Sequence, residues 1–406
     1  MSKLEIEVCG IKFKNPILLA SATPTKNAEY MRKGFEAGAG GVVAKSVTDL
    51  EAQQKYVRPR FTVLHKKAYP HCFSNYSSEF AATYKPQEWM KELKQTKAYA
   101  KEYGAVVIGS VVGTSLQSWK ELSMMVEDAG CDMMEMNFGC PNLTGLKVQG
   151  AEMGADVEGV LQRVRTVVES VKFPVFAKLT SEGVNPLITA GVAKEAGVKG
   201  FTVINRTPSL EVDLETGAPL LAGGFNGVGG PWMRPIMLKW VAKVSQEYGL
   251  PVSATSGIWE WPDVVKAIMC GASTVQTCTA VTHGQKGLGV IKDYLQGLEK
   301  YLDDHGFKSV EELRGRTLRH GIRLFDQLVR LPKGAIWSVV DEDKCTGCQL
   351  CQNWCFYESI TYNDSGLAII DQDACDGCGA CAALCPSEAI TMKGTGKEPI
   401  RLGDFD

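Results

Sequence analysis

Residues 345–386 read CTGCQLCQNWCFYESITYNDSGLAIIDQDACDGCGACAALCP and hold eight of the chain's 14 cysteines. The eight form two runs of identical spacing, one beginning at Cys345 and the other at Cys375. In a reducing compartment, cysteines clustered this densely indicate metal ligation rather than a disulfide framework. The segment therefore predicts a small domain that depends on bound metal, because its apolar content is too low for an ordinary core.

Each run follows the pattern Cys-x2-Cys-x2-Cys-x3-Cys, the signature of bacterial ferredoxins that hold two [4Fe–4S] clusters. In that signature the fourth cysteine of each run ligates the cluster of the other run. One predicted ligand set is Cys345, Cys348, Cys351 and Cys385, and the other is Cys375, Cys378, Cys381 and Cys355. Phe356 departs from the signature, since proline usually follows the fourth cysteine. A zinc ribbon is the alternative, but it uses only Cys-x2-Cys pairs and leaves half of the cysteines unexplained.

Upstream of this module, short apolar runs alternate with segments of helical periodicity. After the fourth run, for example, Val160, Val164 and Val167 recur at helical spacing. The runs are continuously apolar, as expected of parallel strands covered on both faces. The eight predicted strands are Pro16–Ala20, Gly41–Lys45, Ala105–Val112, Met133–Asn137, Pro174–Leu179, Phe201–Asn205, Val252–Thr255 and Thr274–Cys278.

Eight such units in about 300 residues predict an α/β fold, a (β/α)8 TIM barrel followed by a small ferredoxin-like domain. A doubly wound sheet is the structural alternative, but neither GxGxxG nor GxxxxGK[ST] follows any predicted strand. We assign residues 1–305 to the barrel, 306–334 to a helical, basic connector and 335–406 to the domain with two clusters. The connector's basic residues indicate a solvated face, with a docking surface as the alternative.

The overall charge argues against some classes of function. The chain has 44 Lys and Arg against 46 Asp and Glu, a formal charge of −2, so nothing predicts a nucleic-acid partner. The longest apolar stretch, Ala105–Gly113, is far shorter than the ~20 residues that span a bilayer. The opening residues MSKLEIEVCG lack the features of a secretory signal. We therefore expect a cytoplasmic protein with no membrane partner.

Polar or reactive side chains end five of the eight predicted strands. In a barrel the carboxyl ends of all strands meet on one face, where active sites lie. The alternative is that polar residues simply mark where strands stop. The five residues, which we expect around one site, are Lys45, Asn137, Lys178, Asn205 and Cys278.

The two parts of the chain together imply a redox cofactor in the barrel. Iron–sulfur clusters carry single electrons, whereas a two-electron organic transformation coupled to them requires a flavin or an equivalent. Barrels commonly bind a phosphate group after strands 7 and 8, where backbone N–H groups can hold it. In this chain those positions are Ser256-Gly257 and Cys278-Thr279.

Several motifs carry a family resemblance: NPILLASATPT at 15–25, AKS at 44–46, NFGCPN at 137–142, FAKLT at 176–180, Asn205 and Gly229-Gly230. They resemble the FMN barrel of the dihydroorotate dehydrogenase superfamily. With the cysteine module, nearly the whole chain resembles the catalytic subunits of the NAD-dependent dihydropyrimidine dehydrogenases. The resemblance implies FMN contacts from Ser21, Lys45, Ser46, Lys178, Gly230, Thr255, Ser256, Gly257, Cys278 and Thr279.

The resemblance also implies roles for single residues. Cys140 would supply or take the proton that accompanies hydride transfer at a C=C bond, and a buried structural cysteine is the alternative. Lys45 or Lys178 would place positive charge beside the reduced flavin, and a salt-bridged strand end is the alternative. Gly229 and Gly230 would leave room for the ribityl phosphate.

For the substrate, the resemblance implies amide side chains that match the N–H and C=O edge of a pyrimidine. Asn137 and Asn205 are retained, whereas Ser115 stands where the family has a further Asn, and Arg206 where it has Thr. An inward-facing Arg206 would suit a carboxylate or phosphate, whereas an outward-facing one would be a surface charge.

The predicted function is therefore that of a flavin-dependent oxidoreductase that reduces or oxidises a C=C bond conjugated to a carbonyl. The leading reaction is the interconversion of a pyrimidine and its 5,6-dihydro form. Because no nicotinamide-binding motif is found, we expect a hetero-oligomer in which a separate NAD(P)H-oxidising FAD/iron–sulfur subunit exchanges electrons with the clusters. The alternatives are a dihydroorotate dehydrogenase, a related ene-reductase for an anionic substrate, and a non-catalytic electron-relay subunit.

Overall fold

The computed structural model describes residues 2–51, 58–139, 152–221, 225–322 and 332–394, and the backbone of 399–400. The chain divides into two compact units, Met1–Ile322 and Arg323–Asp406. The predicted boundaries at 305 and 334 stay predictions. Within the predicted connector, residues 306–322 belong to the first unit, where Val310 N donates to Lys3 O and Gly315 N to Ile268 O, both at 3.0 Å.

The first unit is a closed barrel of eight parallel strands. In chain order they are β1 (Ile17–Leu19), β2 (Gly41–Val43), β3 (Val106–Val112), β4 (Met133–Asn137), β5 (Val175–Lys178), β6 (Gly200–Val203), β7 (Val252–Ala254) and β8 (Thr274–Thr277). Each strand pairs in parallel with the next, and β8 pairs with β1. The predicted (β/α)8 barrel is therefore confirmed.

Helices follow the strands and cover the barrel. The principal ones are α1 (Ala28–Glu36), α2 (Pro86–Tyr103), α3 (Leu116–Asp128), α4 (Val157–Val168), α5 (Pro186–Glu195), α6 (Arg234–Tyr248), α7 (Trp261–Met269) and α8 (Val290–Asp304). Several begin at a side-chain cap, as at Asn27, whose side chain accepts from Tyr30 N. Short helices lie at Glu152–Ala155, Thr279–His283, Val310–Leu313 and Arg316–His320. Short 3-10 turns lie at Thr23–Thr25, Lys66–Ala68, Pro231–Met233 and Gly287–Gly289.

Smaller sheets lie outside the barrel. A hairpin of Ile6–Val8 and Ile11–Phe13 precedes β1, and Val47–Thr48 pairs in parallel with the end of β3. A four-stranded antiparallel sheet has the order Thr207–Ser209, Asn226–Gly229, Ser74–Ser77, Phe61–Leu64. Its strands come from the loops after β2 and β6, so it stands beside the carboxyl ends of the barrel strands.

In the part of it that the structure describes, the second unit combines two antiparallel sheets with two short helices. Ile336–Val340 pairs with Ile390–Gly394, which also pairs with Pro399–Ile400, and Ile360–Tyr362 pairs with Ala368–Ile370. The helices Leu350–Asn353 and Ala380–Leu384 each follow the first two cysteines of one run and contain the third. The buried cluster of this unit contains only Cys351, Ile360, Ala368, Cys381 and Ile390 among the described residues.

Candidate functional site

The carboxyl ends of the barrel strands, here called the barrel mouth, surround two adjoining cavities of about 680 and 520 Å³. The two cavities share Ser21, Ala22, Glu79, Lys178, Asn205 and Arg206 as lining residues. All ten predicted FMN contacts line one or both cavities, and of the predicted substrate residues Asn137, Asn205 and Arg206 do so.

Lys45 follows β2 and is almost wholly buried, with only 2% of its surface exposed. Its Nζ lies 2.6 Å from Oε2 of Glu79, which reaches the mouth from the segment after the strand Ser74–Ser77. The other oxygen of Glu79 accepts from Thr23 Oγ1 at 2.7 Å and from Thr23 N at 3.3 Å. Burial alone raises the pKa of Glu79, but the charges of Lys45 and Arg206 outweigh it and lower the pKa to about 2. The carboxylate is therefore ionised at neutral pH.

Lys178, at the end of β5, has a different carboxylate partner. Its Nζ lies 3.1 Å from Oε1 of Glu135, which points into the barrel from β4. Oε2 of Glu135 accepts from Thr202 Oγ1 at 2.7 Å and from Gln276 Nε2 at 3.1 Å. Five strands, β4 to β8, thus supply one buried polar network, since Ser253 on β7 also accepts from Gln276 at 3.0 Å. This network fixes the position of Lys178.

The two predicted substrate asparagines are bonded to each other. Asn205 Nδ2 donates to Asn137 Oδ1 at 3.0 Å, and Asn137 Nδ2 donates to Ser46 Oγ at 3.2 Å. Ser46 Oγ lies 2.8 Å from Ser110 Oγ and 3.3 Å from Ser21 Oγ. Strands 1 to 4 and 6 thus hold these polar groups in one connected layer at the mouth.

Arg206 faces the mouth, since its side chain lines both cavities. Its NH1 donates to Ser77 Oγ at 2.6 Å and to Gly227 O at 3.2 Å, two groups of the four-stranded sheet. Of the two orientations considered from the sequence, the outward-facing surface charge does not occur. The arrangement places a fixed guanidinium beside Asn205 and Glu79.

The turn after β7 and the helix after β8 line the larger cavity. Ser256 has a φ of +77° and its Oγ donates to Ile204 O at 2.8 Å. Gly230 and Gly257 have positive φ, and a Cβ at either would overlap backbone atoms, of Phe73 and Arg234 respectively. Glycine is therefore required at both positions by the packing of the protein itself. For Gly230 this requirement is separate from the predicted room for the ribityl phosphate, which stays a prediction.

Cys278 lies between β8 and the helix Thr279–His283. Burial and the negative charge of Glu79 raise the pKa of its thiol to about 12. The side chain is therefore a neutral thiol at physiological pH and is unsuited to act as a nucleophile.

Two predicted residues are not placed in this site. Ser115 is the N-cap of α3, where its Oγ accepts from Ser118 N at 3.1 Å, and it lines neither cavity. Cys140 lies outside the described residues. The last described residue before it, Gly139, donates its N–H to Asn137 Oδ1 at 3.2 Å.

The sequence did not indicate several residues that the structure adds to the mouth: Glu79, Glu135, Asn75, Ser77 and Gln276. Glu79, Asn75 and Ser77 belong to the polar segment SNYSSE at 74–79, whose first five residues are buried. A buried run of this polarity has no apolar periodicity, so only its unusual position before α2 could have drawn attention to it. Glu135 and Gln276 lie within strand runs that read as apolar.

The donors and acceptors at the mouth fit an FMN molecule. Asn75 Oδ1 and Gln276 Oε1 are buried, line the larger cavity and have no hydrogen-bond partner among the described residues. Two lysines and several hydroxyl groups lie within the same walls, as a polar ring edge and a phosphate group require. The match of these groups to a flavin rests on the set of donors and acceptors.

The cysteine module shows one of the two predicted ligand sets around a single cavity. A space of about 320 Å³ is lined by Cys345, Cys348, Cys351 and Cys385, and by none of the other four cysteines of the module. No group of three or more ligating side chains in the described parts of the chain is spaced to hold a single metal ion. The four cysteines of this set therefore face one common space, as a shared cluster requires.

The two segments that carry the second predicted set are joined by a contact outside the cysteines. Asp376 raises the pKa of Tyr357 through a side-chain hydrogen bond, which brings the segment after Cys355 next to the second run. The fourth cysteines, Cys355 and Cys385, share one feature. Burial opposes ionisation, but hydrogen bonds from Ser359 and Ser387 and from nearby backbone groups lower the pKa of each thiol. Thiolate is the form that ligates metal.

Comparison with known proteins identifies two families in the chain. The family described as dihydroorotate dehydrogenase matches residues 3–302, and the family described as 4Fe-4S dicluster domain matches residues 338–392. Among the described residues, no helix has the length and apolar character needed to cross a membrane.

Curated relatives are of two kinds. The chain is 32% identical over 363 residues to the PreA subunit of the NAD-dependent dihydropyrimidine dehydrogenase of Escherichia coli K12, with 87% of this chain and 85% of the relative covered. It is also 32% identical over 319 residues to the catalytic subunit of dihydroorotate dehydrogenase B (NAD(+)) from Pyrococcus abyssi, with 78% and 99% covered. The corresponding subunit from Thermococcus kodakarensis is 31% identical over 319 residues, with 78% and 99% covered. Identity does not separate the two kinds.

Proposed function

Since this chain belongs to the dihydroorotate dehydrogenase family and is an oxidoreductase that acts on CH–CH bonds, we propose that it interconverts a pyrimidine and its 5,6-dihydro form. The family implies FMN and the dicluster domain implies two [4Fe–4S] clusters. FMN, when bound, supplies hydride transfer to or from a substrate carbon. The single observation that carries the proposal is the bonded pair Asn137 and Asn205 at the wall of the smaller cavity.

These amides suit a cyclic imide because each offers a donor and an acceptor in one plane. Besides their mutual bond, Asn137 donates one N–H to Ser46, and Asn205 Oδ1 accepts from Arg206 N at 3.0 Å. Each amide nitrogen keeps a second N–H, and Asn205 Oδ1 keeps a second lone pair, so a substrate C=O and N–H would pair with these. Ser46 accepts a hydrogen bond from Asn137 and is itself bonded to Ser110, so the position of Asn137 is fixed. The asparagines would therefore orient the ring without having to reorganise when it binds.

The proposal keeps Cys140 as the residue that supplies or takes the proton at the second carbon. Replacing Cys140 with Ala should leave FMN bound and slow turnover by about 10²–10⁴-fold, the usual contribution of a general acid. Turnover and flavin content of the purified variant measure this. Cys131→Ala is the matched control, because burial raises the pKa of Cys131 to about 12 and keeps it inert. An unchanged rate for Cys140→Ala would remove Cys140 from the mechanism.

A second candidate substrate is an anionic unsaturated ring such as dihydroorotate or orotate. The observation that favours it is the inward-facing Arg206, because a guanidinium is a planar fork suited to a carboxylate. In this case Arg206→Gln should raise KM for the anionic substrate at least tenfold and leave the KM for a neutral pyrimidine little changed.

One experiment separates these candidates and tests the proposal as a whole. Uracil, thymine, orotate and their dihydro forms are added anaerobically to the FMN-loaded protein, and the absorbance of the bound flavin is followed. Bleaching by dihydropyrimidines supports the first candidate, and bleaching by dihydroorotate alone supports the second. No response to any compound contradicts both and favours an electron-relay subunit.

We also propose a partner subunit that oxidises NAD(P)H, because the relatives above are named as subunits of NAD-dependent enzymes. The lone chain should therefore be reduced by NADH negligibly, whereas dithionite should reduce both its flavin and its clusters. Stopped-flow absorbance measures both reactions. Rapid reduction of the isolated chain by NADH would show that no partner is needed.

A further inference from the structure

Glu79 is the one carboxylate that lines both cavities of the mouth, within the part of the chain that the structure describes. It comes from the segment after the strand Ser74–Ser77 and does not belong to the barrel. Its Oε2 accepts from Lys45 Nζ at 2.6 Å, and Thr23 donates to its Oε1 through both its hydroxyl and its backbone N–H. The carboxylate is therefore held in place from two sides.

The charges of the mouth explain why this position matters. Three cations, Lys45, Lys178 and Arg206, face two carboxylates, Glu79 and Glu135. Glu135 is only 1% exposed and pairs with Lys178 inside the barrel. Glu79 instead pairs with Lys45 at the cavity wall. The two side chains are only 2% (Lys45) and 13% (Glu79) exposed, so water screens little of the charge that each exerts on a molecule bound there.

We infer that Glu79 is a positioning residue, which holds the Lys45 ammonium at the cavity wall, offsets its charge, and so sets how strongly the site prefers reduced over oxidised flavin. The inference rests on the proposed function, since it requires FMN at the mouth. A reduced flavin carries more negative charge than an oxidised one, so a cation with no compensating carboxylate would favour the reduced form. Glu79 limits this preference.

A purely structural ion pair is the competing explanation. Buried ion pairs often contribute little net stability, because desolvation offsets their attraction. If the pair has only a structural role, replacing Glu79 should change the free energy of unfolding and leave the midpoint potential of the flavin unchanged. The role inferred here predicts a change in the midpoint potential of the flavin, which folding stability alone does not move.

The test compares FMN-loaded wild-type protein with Glu79→Gln in a spectroscopic redox titration. Gln keeps the shape of the side chain and removes its charge. The ratio of affinities for reduced and oxidised FMN should rise about tenfold, which for a two-electron couple is an upward shift of about 30 mV. Glu29→Gln is the matched control, because it removes one exposed carboxylate that is paired with Arg32 on α1 and should leave the potential unchanged.

Two further variants show whether Glu79 acts through Lys45. In a Lys45→Met background, Glu79→Gln should shift the potential far less than in the wild type. A shift of equal size there would mean that Glu79 acts on the flavin directly and would overturn the positioning role.

If Glu79→Gln folds poorly, Glu79→Asp replaces it. The shorter side chain lies farther from Lys45, so we expect a smaller upward shift of the midpoint potential. An unchanged potential would contradict the inference.

The outcomes separate this inference from the proposed function. If the variants bind FMN and the potential of Glu79→Gln equals that of the wild type, the inference fails and the proposed function stands. If wild-type protein binds no FMN in reconstitution, followed by quenching of flavin fluorescence, both fail.

Discussion

At the scale of single residues, the two lysines at the strand ends of the mouth each have a carboxylate partner. Lys45 and Lys178 each form an ion pair with a glutamate and also line the cavities. The sequence could place the lysines because each ends an apolar run. It could not place Glu79, because that residue enters the mouth from a sheet whose strands pair across about 150 residues of chain, as Gly227 with Ser77.

The pair of Lys178 and Glu135 gives a prediction about stability. Lys178→Met leaves the Glu135 carboxylate buried without its cation, which should lower the free energy of unfolding by about 3–5 kcal/mol. Lys178→Met/Glu135→Met removes both charges and should recover most of that loss. Urea unfolding of the flavin-free protein measures both variants. Arg32→Met, which breaks an exposed pair with Glu29, serves as the control with a change of at most about 1 kcal/mol, and an equal loss in single and double variants would contradict the argument.

At the scale of elements, the barrel strands were predictable and the small sheet was not. The strand runs are apolar because parallel strands are covered on both faces, and all eight were found within a few residues of their ends. The strand Ser74–Ser77 is wholly buried yet reads SNYS, so its burial depends on partners from the distant Asn226–Gly229. Ser115 shows the same limit, because its position at the start of α3 makes it a helix cap.

The turn after β7 gives a prediction at this scale. Gly257→Ala should lower the free energy of unfolding by about 1–3 kcal/mol and weaken FMN binding, since the left-handed backbone and the overlap with Arg234 must both be relieved. Gly249→Ala is the matched control: its φ is also positive, at +64°, but nothing lies within 4 Å of its Cβ. It should cost about 1 kcal/mol with unchanged FMN affinity. Thermal unfolding and flavin-fluorescence titration measure both, and equal effects of the two variants would show that the turn is not packed as described.

At the scale of the whole molecule, the chain joins two units with different sources of stability. The barrel has a large apolar core in which most strand residues are wholly buried. The second unit buries few apolar side chains, among them Ile360, Ala368 and Ile390, and fills its centre with cysteines. This division could be predicted from the sequence, because the cysteine spacing and the apolar periodicity occur in two separate, continuous segments of the chain.

Iron removal should therefore affect the two units differently. The holoprotein is expected to contain about eight irons per chain, from two [4Fe–4S] clusters, and taking them out with a chelator under anaerobic conditions removes the centre around which Cys351 and Cys381 pack. Because a domain of this size is not stabilised by its apolar core alone, Ile336–Val340 and Ile390–Gly394 should lose their hydrogen-exchange protection. The strands β3 to β5 should keep theirs, and FMN should stay bound.

The matched variants for this experiment are Cys381→Ala and Cys270→Ala. Both cysteines are buried to the same degree, but only Cys381 belongs to the predicted ligand sets. Cys381→Ala should lower the iron content and loosen the second unit, whereas Cys270→Ala should retain all iron. Persistent protection of Ile336–Val340 in the iron-free protein would mean that this unit folds on its few apolar contacts, and the clusters would then serve electron transfer without holding the fold.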